Sequence, residues 1–547
     1  MSKLARAMAI MTFGTVLSRI TGLARLVAIT AALGIVESGR LTDTYNIANT
    51  APNIIYELIL GGILTSVFVP VFVELLEKEG REKAWEVGNA IINLSLLVLV
   101  ALSALGIIAA PLIAKFYASR LDPNEAARQA EVLTFLLRFF IPQIIFYGLA
   151  AMTAGLLNAH KKFGAPMYTP ILNNLAVIVV FVTFYFAYSS ENLSLQTVSN
   201  SQLMLIGLGT TAGVALMAFA QLPFLRGLGR YRFTLSINHP SVRKLASLAV
   251  FVVGYVVANQ IGYLVAQWLS NKQTGGYSAY VNAFMFFMLP HGLFAVSVIT
   301  ALLPSMSEHS VNKRMEEFRE RLSVGIRATF LLILPASVGF FVLGEPVVRL
   351  FLEHGIATEE STELVAGVLR FFVLGLVPFS LFQLFLRAFY ALQDTKTPFL
   401  INCGAVALNT AVNVPMFAWL GVRGLAAGHA IAYVFAVTLQ ARILSKRIGG
   451  LDGRRLVDSA ARITAAALGM GLIVWGVFEL SARLFDESNL LGQAIVVALP
   501  VTAGVATYLG LATAFKVPEL DYVRSLVGNR LGRRRAKAEG EARDPDA

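Results

Sequence analysis

Cysteine and charge are what this chain has least of. One cysteine, Cys403, stands in 547 residues, and charged side chains make up 14%, against about a quarter in an ordinary soluble domain. A single thiol excludes a disulfide framework and a thiolate metal centre, so no metal site is expected. So little charge excludes a fully solvated surface. Signatures of chemistry are missing too. There is no HExxH, no GxSxG, no P-loop, and no nucleophile paired with a base. Neither an enzyme nor a cofactor is expected. A net charge of +12 suggests nucleic acid in a soluble protein. Here the basic residues collect between apolar runs, as they do in cytoplasmic loops, so no nucleic-acid partner is expected.

What is present is apolar: 56% of the residues are hydrophobic. Runs of about 20 residues recur, each long enough to cross roughly 30 Å of hydrocarbon as a helix. They predict an all-α polytopic membrane protein with about fourteen spans, at 6–34, 47–76, 87–114, 131–157, 166–188, 202–225, 243–269, 276–304, 325–344, 363–392, 397–418, 424–445, 457–482 and 490–514. Lys3 and Arg6 precede an apolar run too long for a signal peptide, with no small-residue cleavage site. The first span is therefore expected to stay.

The charges test the count. With a cytoplasmic N-terminus, inside loops carry Lys78, Arg81 and Lys83, then Lys161 and Lys162, then Arg226 to Lys244, Lys313 to Arg321, and Arg442 to Arg455. Outside loops carry isolated cations and one small cluster, Lys115, Arg120 and Arg128. This alternation predicts both termini cytoplasmic in a bacterial inner membrane. The basic tail, with Arg533, Arg534, Arg535 and Lys537, fits that side as an anchor to anionic lipid.

The chain echoes itself. Leu137-Arg138-Phe139-Phe140 matches Leu369-Arg370-Phe371-Phe372, Ala159 matches Ala391, and Pro166 matches Pro398, all at one common offset. Six spans separate the copies, so the repeats run parallel, related by an axis along the membrane normal. This predicts two six-helix lobes, 1–230 and 231–450, around a central cavity, then a final helix pair at 451–515 and a basic tail at 516–547. Gly22, Pro52 and Pro290 are candidate hinges, or ordinary packing positions.

Two arginines, Arg19 and Arg25, lie inside the first span. Arginine keeps its charge at any relevant pH, and placing one at mid-helix costs about 2.5–3.5 kcal/mol on insertion scales. Six residues apart, they point about 120° away from each other on a straight helix. Ser18, Gly22 and Arg25 share a face. Inward-swinging side chains, or a break at Thr21-Gly22, let both arginines grip a diphosphate. The alternative is a structural ion pair with Asp43 or Glu57. Glu57, after Pro52-Asn53, reads as a counter-ion, a proton carrier or a gate latch. Asn409 and Asn413 share a helix face and either help hold a cation or bond a neighbouring helix.

These residues resemble a known family. Ser18-Arg19-Ile20-Thr21-Gly22-Leu23-Ala24-Arg25, Thr42-Asp43-Thr44-Tyr45, Ala51-Pro52-Asn53 and Gly61-Gly62 to Phe68-Val69-Pro70 are similar to motifs of the MurJ/MviN lipid II flippases. So are Pro290-His291-Gly292-Leu293, Leu302 to Ser307, and Ala391 to Pro398. The resemblance implies the two-lobe, fourteen-helix fold of the multidrug/oligosaccharidyl-lipid/polysaccharide exporter superfamily. It implies transport of an undecaprenyl-diphosphate-linked peptidoglycan precursor to the outer leaflet, among membrane lipids and beside cell-wall synthesis proteins. It also implies cavity arginines at Arg19 and Arg25, an outer-gate acid at Asp43, and a groove for the prenyl tail at the last helix pair. Where many members carry further cavity arginines, Tyr56-Glu57 and Met285 stand here. Some members bind sodium through carboxylates on a face that Asn409 and Asn413 occupy in this chain. The readings that compete are a flippase for another polyprenyl-diphosphate glycan, a drug exporter, a membrane enzyme acting on lipid-linked sugars, and a non-transporting scaffold of wall assembly.

Overall fold

The computed structural model describes residues 3–56, 72, 75–76, 78–160, 162–189, 192–229, 231–234 and 260–520, with backbone alone at 3–12 and 54–56. Every extended regular element among them is helical. The helices are α1 (Lys3–Leu33), α2 (Leu41–Tyr56), α3 (Arg81–Ala118), α4 (Pro123–Phe140), α5 (Gln143–Ala159), α6 (Gly164–Tyr188), α7 (Asn200–Phe219), α8 (Gly276–Pro290), α9 (Val296–Val311), α10 (Met315–Leu352), α11 (Glu359–Leu374), α12 (Leu376–Ala391), α13 (Lys396–Leu420), α14 (Val422–Ile448), α15 (Gly453–Leu484) and α16 (Leu490–Ala514).

Eleven of these stretches are long and apolar enough to cross a bilayer, and the bent pair α11–α12 makes a twelfth. They fall on twelve of the expected ranges. The other two, 47–76 and 243–269, lie largely outside the described residues, as do Glu57, Gly61, Gly62 and Phe68 to Pro70. Large apolar side chains point outward along the spans, among them Ile108, Leu112, Phe186 and Leu472. A soluble monomer does not leave so much apolar surface in water.

Local sequence sets the helix ends. Ser199 and Gln202 form a reciprocal capping box at α7. Asn489 accepts from the Gly492 amide at the start of α16, 2.9 Å. Gly449, at φ 77°, ends α14 in the left-handed conformation. Pro290 has no amide hydrogen to donate, and the helix slips into a π turn at His291–Ala295 before resuming as α9. α4–α5 is interrupted at Ile141-Pro142, and α11–α12 bends by 48° at Gly375.

The chain forms two compact units, Met1–Asn282 with Phe351–Leu364, and Ala283–Leu350 with Val365–Ala547. In the first, Leu41, Tyr45, Leu133, Leu136, Phe140 and Phe181 build the main core. In the second, one core gathers Phe318, Leu322, Phe385, Phe389 and Leu444. Another joins α15 and α16 to α10 through Leu331, Ile463, Met470, Val474 and Tyr508. Val517 and Leu520 enter that core, and the buried Glu519 accepts from Arg327 at 2.7 Å and Ser459 at 2.8 Å.

Candidate functional site

α1 runs unbroken through Gly22, which removes a break at Thr21-Gly22 as a route for bringing Arg19 and Arg25 together. Thr21 Oγ1 donates back to Leu17 O and Ser18 O, at 3.0 and 3.1 Å. Asn174 of α6 donates to Thr21 Oγ1 at 3.0 Å and to Ser18 O at 3.3 Å. That contact fixes the rotation of α1 on α6 around the Ser18 turn. Arg19 is exposed and Arg25 half-buried. The Arg25 guanidinium meets the Tyr45 hydroxyl, which also bonds Thr210 at 3.0 Å. No described carboxylate pairs with either arginine. Asp43 in particular does not: its Oδ1 accepts from the Ser278 amide at 2.8 Å and the Ser278 hydroxyl at 2.7 Å.

Asp43 anchors a buried network. Its side chain is fully enclosed, and Oδ2 has no hydrogen-bond partner among the described residues. Arg40, one turn earlier, donates to Asn271 O at 2.6 Å, Lys272 O at 3.1 Å and Glu125 at 3.1 Å. Gln129 and Asn271 exchange amide bonds at 2.9 Å. Asn46 donates to Ser278 Oγ at 2.9 Å, and Thr50 meets the Tyr277 hydroxyl at 2.9 Å. Burial makes each of these bonds costly to break without replacement.

Asn46 and Ser278 stand at the repeat offset, as do Arg40 and Lys272, and so do the two buried tyrosines Tyr45 and Tyr277. Equivalent positions of the two copies therefore meet one another here, at the starts of α2 and α8.

A second network lies at the α1–α2 turn. Glu37 accepts from its own turn, at Ile35 N (2.8 Å) and Val36 N (3.1 Å). It also accepts from Thr358 N and Oγ1, both at 2.6 Å, and from Ser361 Oγ at 2.7 Å. Ile356 N donates to Ala31 O at 3.0 Å. Gly355, at φ +68°, lies so close that a Cβ there would fall 2.2 Å from Ala31 O. Residues 351–364 thus strap the end of α1. Burial raises the Glu37 carboxyl, but donors from Thr358, Ile35 and Ser361 outweigh it and hold the group below the ordinary 4.5.

The remaining expected residues fall as follows. Pro52 lies inside α2, and Asn53 donates to Asn49 O at 3.2 Å. His291, on the π turn, bonds Ser380 at 3.0 Å. On α13, Asn409 and Asn413 bond each other at 3.1 and 3.4 Å. Asn413 Oδ1 fills the space where a Gly428 Cβ would sit, at 2.2 Å. The pair thus packs onto α14, as a helix–helix contact requires, and no cluster of three or more His, Cys, Asp or Glu forms among the described residues. Glu37, Ser278 and Tyr277 were not singled out from sequence. The Tyr45–Tyr277 match at the repeat offset is the signal that marks this corner.

The profile of the family described as Lipid II flippase MurJ matches residues 31–494. This chain belongs to the MurJ family. Its curated MurJ relatives include the probable lipid II flippase MurJ of Rhizobium meliloti (strain 1021), 27% identical over 93% of this chain and 94% of that one. The lipid II flippase MurJ of Burkholderia cenocepacia is 28% identical over 77% and 80%. Among solved structures, a lipid II flippase MurJ in an inward closed conformation superposes with a TM-score of 0.74 at 24% identity, covering 93% of this chain and 98% of that one. An inward-facing MATE-family multidrug resistance transporter of the MOP superfamily superposes at 0.63 with 15% identity, over 80% and 96%. The fold of both structures is thus shared. In the second unit, α10, α15 and α16 line an open groove of about 420 Å³, with Leu331, Phe340, Leu343, Met470, Val505 and Tyr508 on its walls. Its walls are almost wholly apolar, and the Tyr508 hydroxyl is turned away to Leu331 O, at 2.7 Å.

Proposed function

We propose that this multi-pass protein carries lipid II, the undecaprenyl-diphosphate-linked peptidoglycan precursor, from the inner to the outer leaflet of the cytoplasmic membrane by alternating access. The observation that carries the reading is Arg19 and Arg25 on a spanning helix with no described carboxylate to neutralise them. A permanent cation in a bilayer needs water or an anion. A diphosphate supplies that anion, and guanidinium groups bind phosphate oxygens with paired donors.

In this reading both termini are cytoplasmic, and the α1–α2 corner lies on the outside. The Asp43–Ser278 and Glu37–Thr358 networks hold that side shut while the headgroup enters from within. The apolar groove beside α15 and α16 takes part of the prenyl chain, so the tail never leaves a hydrocarbon environment. Transport then rocks the repeats 1–230 and 231–450. The diphosphate drives that change only by binding one state more tightly than the other. Ser18 lines the arginine face, and Gly22, Pro52 and Pro290 are the points of flexure. The role is transport, without catalysis or a cofactor.

The test is rescue of a bacterium depleted of its own lipid II flippase. Expression of this chain restores growth and clears lipid II from the inner leaflet. Membrane insertion without rescue, or export of a different polyprenyl-diphosphate glycan alone, overturns the reading.

A further inference from the structure

A cationic groove lies in the first unit, away from α1. α3, α4 and α7 leave a groove of about 620 Å³, whose polar lining includes Lys115, Arg128, Glu131, Thr134, Arg138 and Asn200. Three cations face one carboxylate there. The local partners of most of these groups are accounted for. Arg128 donates to Leu195 O at 3.0 Å, Val198 O at 2.9 Å and Glu131 at 2.8 Å. That pair spends both its charges. Thr134 donates to Ala130 O at 2.6 Å. Nearby, Arg120 lies 3.8 Å above the Trp268 ring. Lys115 and Arg138 remain, exposed and with no partner among the described residues.

Their depth matters. Arg138 sits seven residues past the start of its predicted span, roughly 10 Å along the helix, where only the reach of its side chain brings the charge to the interface. Lys115 ends the neighbouring span. Below it, Leu105, Ile108 and Leu112 form an exposed stripe on α3, 62%, 76% and 72% accessible. The groove thus joins a cationic mouth to a hydrocarbon-facing wall. The charge pattern assigns this end to the outside, where lysine and arginine are normally sparse. Cations kept there have a local use.

We propose that this groove binds an anionic phospholipid of the outer leaflet. Its phosphate sits between Lys115 and Arg138, its headgroup lies toward Asn200, and its acyl chains follow Leu105, Ile108 and Leu112. The alanine floor, Ala126, Ala127 and Ala130, leaves room for the glycerol backbone. The site is separate from Arg19 and Arg25 and takes lipid that is not transported.

Native mass spectrometry of the purified full-length protein, in micelles carrying equimolar phosphatidylglycerol and phosphatidylcholine, tests this. Phosphatidylglycerol is retained preferentially, and the preference falls roughly fivefold for each cation neutralised, in Lys115→Gln, in Arg138→Gln and in the double variant. The charge-keeping pair Lys115→Arg with Arg138→Lys retains it. Single variants carry the test if the double variant does not fold. Arg19→Ala leaves retention unchanged, so the result stands apart from the transport reading. It is also independent of which leaflet the groove faces. Equal retention of the two lipids overturns the proposal, as does full retention in both single glutamine variants. Displacement of phosphatidylglycerol by undecaprenyl diphosphate, dependent on Lys115 and Arg138, reassigns the groove to the cargo and overturns it too.

Discussion

Glu37 shows how one side chain can hold a membrane protein's corner shut. Its carboxylate collects donors from its own turn and from Thr358 and Ser361, far along the chain. Because those donors hold the carboxyl below 4.5, the folded chain binds this proton less readily than the unfolded chain. The stability it contributes is fully present above about pH 4.5 and is lost as pH falls through the lower folded value. Glu37→Gln keeps the shape but loses the charge, which weakens the strap by about 1–3 kcal/mol. Melting curves between about pH 7 and pH 3.5 will show the unmodified protein losing more stability on acidification than Glu37→Gln. Asp43 works differently. It is sealed with one oxygen on Ser278, so it belongs to that buried network and pairs with neither α1 arginine. That corrects the idea of an ion pair between Asp43 and Arg19 or Arg25.

Among the elements, the strap 351–364 and the end of α16 carry the clearest consequences. Gly355 combines a left-handed φ with an approach to Ala31 O that admits no side chain. Gly355→Ala therefore costs at least about 1 kcal/mol from the backbone alone. It should release the strap, seen as faster proteolysis between α10 and α11. Glu519→Ala leaves Arg327, only 18% exposed, without its partner. A loss of about 3–5 kcal/mol is expected, read as a lower melting temperature that Arg327→Met restores in part. Span positions were legible from sequence because the hydropathy of a membrane-length run needs no knowledge of neighbours. Arg19 and Arg25 stood out because charge in an apolar run is conspicuous. The partners of Glu37 and Asp43 were not legible: Ser278, Thr358 and Ser361 are ordinary polar residues whose role depends on contacts made across most of the first unit's sequence. The slip at His291–Ala295 was equally hidden, since Pro290 announces a fault in the helix but not its form.

At the scale of the whole molecule, the proposed transport reading draws on the two α1 arginines, the two buried networks of the first unit and the apolar groove of the second. The repeat supplies the logic. Asn46 and Ser278, and Arg40 and Lys272, are matched positions that bond one another, and in the proposed reading the corner that closes is built on them. Opening there breaks buried hydrogen bonds, and cargo binding must offset that loss. In the proposed reading, charge on α1 is the source of that binding. The most direct measurement is lipid II retention by the purified full-length chain, read by native mass spectrometry, for the unmodified protein, the Arg19→Ala/Arg25→Ala pair and the Arg19→Lys/Arg25→Lys pair. Retention should fall at least about tenfold for each arginine removed to alanine and be partly kept by lysine, which carries the charge without the paired donors. A folded double-alanine protein that holds lipid II as tightly as the unmodified chain would contradict the account.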